Sequence, residues 1–574
     1  MLAEPMGAPL RRAACIELLG LLVVAWLALG AAPARAATQA SDGAQRAERA
    51  DRAINGVRVG IAAAALALWA SGWGAARAGR PAPPPLAASA RRVALGTLAA
   101  AAFASNFNFF VWTGLHKHEL FHYYLGSKYF PELGYFRLYE CSVAALYPSG
   151  EPLPAELAEI TDLRTKRRRP AAEVLAAAPP CRDDFSPARW AAFQEDAAAF
   201  RRILGERGLA TVLRDHGYNP SPVWTLFGRP IASLVPARPA GLWLIARIDL
   251  WLLAGLFAAV GWAFGFEALC LAAIAWGACG HTRYQWTGDA FLRQLWLAAS
   301  IAAICLVRKR RQAAGGALLA LASLERVFPV LLFGGWGLQQ LGRAVRARRL
   351  DAAATRLALG ALLAGALLAA AGTAVAGRGA GVWREFADNM AAMTEFTPRN
   401  GLGLKYLLEF RASPPAGVEI PKDAEGLESA IQDYKRETLA SRRWLYGGAL
   451  ALFGLGFARA AWADPGRLAD WEALAMGALL IPIVTMPASY YLGFALAAAP
   501  LATRRPRIGT ALLLAVLGWA AALLAYQERA LAFAWSSALL LALCAWVLVE
   551  LQLPARGGLS APADPVMLTP PDPA

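Results

Sequence analysis

Three of the five histidines in this chain, His116, His118 and His122, crowd around one carboxylate, Glu119. They lie in the run from Trp112 to Tyr139, where an apolar segment gives way to aromatics and to the glycines Gly126 and Gly134. Charge stranded beside an apolar span is costly, so it is kept where it handles something. Set among Trp112, Phe121, Tyr123 and Tyr124, the Glu119 carboxyl is raised in pKa by desolvation and lowered by any cation beside it. Such a group can take a proton from a hydroxyl. The alternative is a carboxylate paired with Lys117 or a neighbouring histidine at a helix end.

The segment His118-Glu-Leu-Phe-His122 also matches H-E-x-x-H. On a helix that pattern puts two imidazoles on one zinc, with the glutamate as base. The extended form needs a further Gly and His; here the glycine comes one place late, at Gly126, and residues 123–138 hold no histidine. The reading adopted therefore assigns no metal and no cofactor, with His118 and His122 as the alternative zinc pair of a metallopeptidase.

These residues need a scaffold, and the composition supplies one. The chain has 574 residues, 57% hydrophobic and only 17% charged, with mean hydropathy +0.39. That excludes an ordinary soluble protein and points to many spans. The net charge of +16 is carried by short basic runs between apolar segments: Arg77 to Arg92, Arg308 to Arg311, Arg343 to Arg349, and Arg504 to Arg507. This is a positive-inside pattern, and with no single basic domain it excludes nucleic acid as a partner. The seven cysteines show no metal-ligand spacing. Cys15, Cys270, Cys279, Cys305 and Cys544 read as small apolar residues, and Cys141 and Cys181 are free to pair if their loop faces an oxidising compartment.

The predicted fold is all-α: a polytopic membrane protein of about 12 to 14 spans with two sizeable outer loops. Apolar segments run from 57–76 and 93–113 through 241–263 to 530–552, and Pro329 and Pro487 break paired half-spans. With the basic runs inside, residues 115–240 and 378–443 face outside. Residues 16–37 resemble a cleavable signal or a first span. Residues 1–92 thus hold a signal-like segment and extra spans, 93–552 the main transmembrane domain, and 553–574 a Pro-rich tail. Within the first outer loop, residues 151–182 read as a solvated excursion. A surface helix follows at 186–216, opened by the N-cap Ser186 and Pro187.

Beyond composition, Glu119 after a span, the aromatic run to Gly126, and then Gly134-Tyr-Phe-Arg-Leu-Tyr139 resemble the first outer loop of GT-C glycosyltransferases. The nearest likeness is to mannosyltransferase-like enzymes that use polyprenyl-phosphate sugars. The small-residue stretch from Gly315 to Pro329, with Arg326 near its end, resembles the phosphate-meeting helix of such enzymes. The segments Trp383 to Asn389 and Thr397 to Leu404 resemble the F-x-x-N … N-x-x-G-L loop of related bacterial transferases. The resemblance implies Glu119 as the base, and His118, His122, Tyr123, Lys128, Arg326, Asn389, Arg399 and Asn400 as donor- or substrate-binding residues. It implies a polyprenyl-phosphate sugar donor, a glycan, lipid or protein acceptor, and a site on the periplasmic or outer face of a bacterial inner membrane.

Alternatives remain at several positions: Arg326 as a partner of Glu325, Asn389, Arg399 and Asn400 as loop residues, and Tyr490 and Tyr491 as interfacial anchors. Arg247, Asp249 and Asp289 could line a cavity, and the stretch from Asp215 to Pro222 reads as a turn. A lipid or sugar transporter is the non-enzyme alternative. It would carry an internal repeat, and the sequence shows none.

Overall fold

The computed structural model describes residues 40–77, 84–110, 114–147, 153–177, 179–348, 351–394, 398–411, 424–462, 467–526 and 528–554. The signal-like segment, Trp112, Thr397 and nearly all of the C-terminal tail lie outside the described residues. The protein is an all-α polytopic membrane protein. Among the described residues, six helices are long and apolar enough to cross a bilayer: Arg49–Gly72, Pro85–Asn106, Pro239–Phe264, Ala352–Ala376, Pro506–Ala525 and Arg529–Gln552. Some other expected spans fall on shorter apolar helices, among them Phe266–Ala278 and Leu295–Arg308, and the one at 444–461 falls on Arg443–Trp462.

Glycine spacing sets how closely these helices approach. A Cβ on Gly316 would sit 2.1 Å from the Leu357 carbonyl oxygen, and one on Gly360 would sit 2.1 Å from that of Ala313. Helices Gln312–Glu325 and Ala352–Ala376 are therefore in backbone contact through reciprocal glycines, an arrangement that membrane helices use where no hydrophobic effect drives them together. The opposite side of Ala352–Ala376 leaves Leu359, Leu362, Leu363 and Leu367 exposed, an apolar stripe suited to acyl chains.

The two predicted outer loops lie at one end of the bundle and touch each other. Arg378 donates to the Pro131 carbonyl at 2.9 Å, and Asn389 donates to Asn219 at 3.1 Å. At the far end of helix Leu295–Arg308, Arg308 stacks over Trp471. There Arg504 and Arg505 also close on the buried Glu472, and Arg343 pairs with Asp470 at 2.6 Å. The basic runs thus gather away from the loops.

The first outer loop is folded. Helix Pro187–Leu213 begins where the Ser186 side chain accepts from the Arg189 amide, and it breaks at Gly205, whose φ is 71°. Residues 151–182 differ from the solvated excursion expected of their Pro and Arg content. Among the described residues they hold the only two strands, Glu159–Asp162 and Arg167–Pro170, paired antiparallel. Two ties explain the difference: Arg164 meets the buried Glu140 at 2.8 Å, and Cys141 is bonded to Cys181.

Candidate functional site

Glu119 sits on the short helix Lys117–Leu120, which starts where the His116 ring accepts from the Glu119 amide at 3.3 Å. The chain continues into a wider π-helical turn, Phe121–Leu125, that turns His122 and Tyr123 to different neighbours. Such turns are rare and often mark functional positions.

The Glu119 carboxylate meets Arg293 at 3.2 Å. Arg293 is nearly buried and also donates to the Trp286 carbonyl at 3.1 Å. It stands at the end of a packed non-helical segment in which Asp289, Phe291 and Leu292 all have positive φ. Non-glycine residues in that region cost on the order of 1 to 3 kcal/mol each, so surrounding contacts must hold the turn in place. Asp289 pairs with Arg247 at 3.2 Å, its carbonyl accepts from the His116 amide, and Asp249 accepts from the Gln294 amide at 3.0 Å. Arg247, Asp249 and Asp289 thus brace the turn that presents Arg293.

Arg326 follows the helix Gln312–Glu325, which ends ahead of Pro329. Its guanidinium donates to the Tyr123 hydroxyl, lies over the Tyr491 ring and contacts the fully buried Glu325 at 3.4 Å. Tyr490 and Tyr491 come from an unusually long 3₁₀ stretch, Ser489–Ala497. Arg293, Arg326, Tyr490, Tyr491 and Trp296 line one narrow cleft of about 340 Å³, part of it open to solvent. A second pocket of about 230 Å³, open solvent included, shares Trp296 and Leu297 with it and apart from Ser300 is walled by apolar residues such as Ile301, Leu332 and Phe494.

The second outer loop reaches the same place through its backbone. The Asn400 carbonyl accepts from the Ser489 amide at 2.7 Å, and Leu402 donates to the Pro487 carbonyl at 2.9 Å. Asn400 is thereby joined to the segment that carries both tyrosines. Gly403 has φ of 101° and lies so close to the Pro482 carbonyl that a Cβ there would sit 2.2 Å from its oxygen.

Other predicted residues lie elsewhere. Lys128 pairs with Asp196 at 2.7 Å and donates to Tyr124, which places it among packing contacts and outside the cleft lining. Asn389 is buried against Asn219, and Arg399 is exposed at the start of the 398–404 turn. His118 meets Asp215 at 2.7 Å, while His122 meets the Tyr139 hydroxyl at 2.7 Å. Asp215, expected in a turn, is thus brought to the histidine run.

Charges in the loop follow from these neighbours. Burial would raise the Glu119 carboxyl, but Arg293, His116 and His122 outweigh it and hold the group below its usual range. Burial pushes His116 and His122 down to about 4. His118 goes the other way, because the hydrogen bond and charge of Asp215 overcome its burial. Glu119 is therefore an ionised carboxylate at neutral pH, beside a permanent cation.

Arg293 is the residue that sequence reasoning missed. Its signal was a charged, polar interruption, Thr282 to Gln294 with Arg283 and Arg293, between two apolar helices. Compared with family models, curated proteins and solved structures, the chain matches none.

Proposed function

We propose that this protein is a membrane glycosyltransferase that moves a sugar from a polyprenyl-phosphate donor to an acceptor hydroxyl on the outer face. The observation that carries the reading is the pair of guanidiniums, the buried Arg293 and the partly buried Arg326, on one cleft that adjoins a largely apolar pocket. Two cations in a low-dielectric cleft suit a phosphate, which accepts several charge-assisted hydrogen bonds at once. The neighbouring apolar walls suit the first units of a lipid tail. Glu119, an ionised carboxylate beside Arg293, would take the acceptor proton in this reading. The Cys141–Cys181 bond, set against four free buried cysteines elsewhere, favours an oxidising compartment for the loop, as a bacterial periplasm would supply.

A zinc-peptidase reading of H-E-x-x-H is disfavoured by the sequence that follows it, which lacks the further Gly and His of the extended form. The test is sugar transfer from polyprenyl-phosphate donors in membranes. Glu119→Gln keeps shape and removes the basic oxygen, and the expected loss is about 100- to 10,000-fold in rate with folding retained. A folded Glu119→Gln protein that transfers sugar at the wild-type rate would end the mechanism.

A further inference from the structure

His118, His122 and Asp215 come together from two stretches of the first outer loop. One ligand-type atom from each lies within 4.8 Å of the others. We propose that these three side chains form a site for a divalent transition metal, Zn²⁺ foremost, with the fourth position left to water. The donor set is two imidazoles and one carboxylate, which borderline ions such as zinc take in preference to magnesium or calcium.

The outer support such a site uses is found at His122. His122 is 3% exposed, and its ring is set by a hydrogen bond to the Val212 backbone on one side. On the other side Nε2 faces the Tyr139 hydroxyl at 2.7 Å, and that hydroxyl also accepts from the Gly217 amide at 2.9 Å. With the Gly217 amide on its oxygen, the Tyr139 hydroxyl can donate to Nε2, and it must turn aside before a metal takes that position. A ring nitrogen fixed through its far side to a carbonyl is the usual outer support of a metal-binding histidine. His118 and Asp215 share a proton at 2.7 Å, and their side chains are 29% and 39% exposed. They are both the movable ligands and the route of entry.

Ligand atoms about 2.0 to 2.2 Å from zinc lie about 3.4 Å from one another in a tetrahedron. His118 and Asp215, now 2.7 Å apart, must open to that spacing, while separations as wide as 4.8 Å must close by about 1 Å; rotation of these two partly exposed side chains supplies both movements. Binding would release the proton now shared between them. The metal would tie the Lys117–Leu125 turn to the end of helix Pro187–Leu213. It needs no peptidase chemistry, because Glu119 faces Arg293 and not the cluster's shared proton.

The test uses full-length protein in detergent, stripped with chelator and titrated with Zn²⁺ alone. One saturable zinc per chain is expected. His118→Ala and Asp215→Asn should each weaken it by more than about 100-fold, beyond the 10- to 100-fold typical of outer-sphere changes. Tyr139→Phe, which removes only the competitor for Nε2, should leave binding intact or tighter. Co²⁺ in place of zinc should show the visible bands of a four-coordinate ion and lose them in His118→Ala. Absence of saturable zinc in the wild-type protein overturns the proposal without reference to any variant. So does binding left undiminished in folded His118→Ala and Asp215→Asn. No donor or acceptor enters the measurement, so its outcome and that of the transferase assay are independent.

Discussion

The Glu119 carboxylate and the Arg293 guanidinium, 3.2 Å apart, join the first outer loop to the strained turn leading into helix Leu295–Arg308. One residue supplies the only carboxylate of the histidine run, and the other lines the cleft beside Arg326. Removing either leaves the other charged in a nearly buried place, which is worse than lacking both.

That pairing gives a test by double substitution. Arg293→Ala and Glu119→Gln are each expected to lower thermal stability, and the double variant should lose less than the sum of the two. The coupling is measured from the four melting or denaturant curves, and additive losses would mean that the ion pair is not made.

Arg326 and Tyr123 differ in what they offer a phosphate. Arg326→Ala is expected to raise the donor KM more than it lowers kcat, because the cation contacts charge present before and during transfer. Tyr123→Phe removes the hydroxyl that holds Arg326 and should reproduce a smaller part of the same change. Steady-state kinetics on both variants decide this, and a pure kcat loss in Arg326→Ala would place the residue in the chemical step instead.

The Cys141–Cys181 bond closes a stretch with a sequence separation of 40. Loop-closure arithmetic assigns such a bond about 4 kcal/mol. Replacing both cysteines by serine should lower the stability of the outer loop by that order, read as a drop in the denaturant midpoint or as new protease sensitivity near the 159–170 hairpin. Unchanged protease resistance would show that packing alone holds the hairpin.

Orientation is open to labelling. Glu173→Cys lies on the exposed surface of the first outer loop, and Arg310→Cys lies in a basic run. In intact cells an impermeant thiol reagent should mark position 173 and spare 310. Labelling at 310 alone would reverse the orientation and move the cleft to the cytoplasmic side.

Much of this architecture could be read from residue order. Apolar runs announced the six helices long enough to cross a bilayer, though not that several other expected spans are short or broken, because a bilayer penalises unpaired backbone and charge wherever they fall. Ser186 and Pro187 announced their helix, and Pro329 its break. The hairpin at 159–170 was hidden, since Arg-rich strands have no apolar alternation and depend on Glu140 and the disulfide, both distant in the chain. Glu119 and Arg326 were legible as charges beside spans. Arg293 was not, because its burial depends on a turn with positive φ at three non-glycine residues that no local preference foretells. Asp215 read as a turn residue until the fold brought it to His118.

The short backbone pairing of 400–402 with 487–489 has a mechanical consequence. It fastens the second outer loop to the segment bearing Tyr490 and Tyr491, whose rings lie over Arg293 and Arg326. The loop and the wall of the cleft are thereby one connected piece. Anything that pulls on residues 398–404 from outside, an arriving acceptor included, would shift the aromatic walls around both guanidiniums, so occupancy of the surface and readiness of the interior become a single variable.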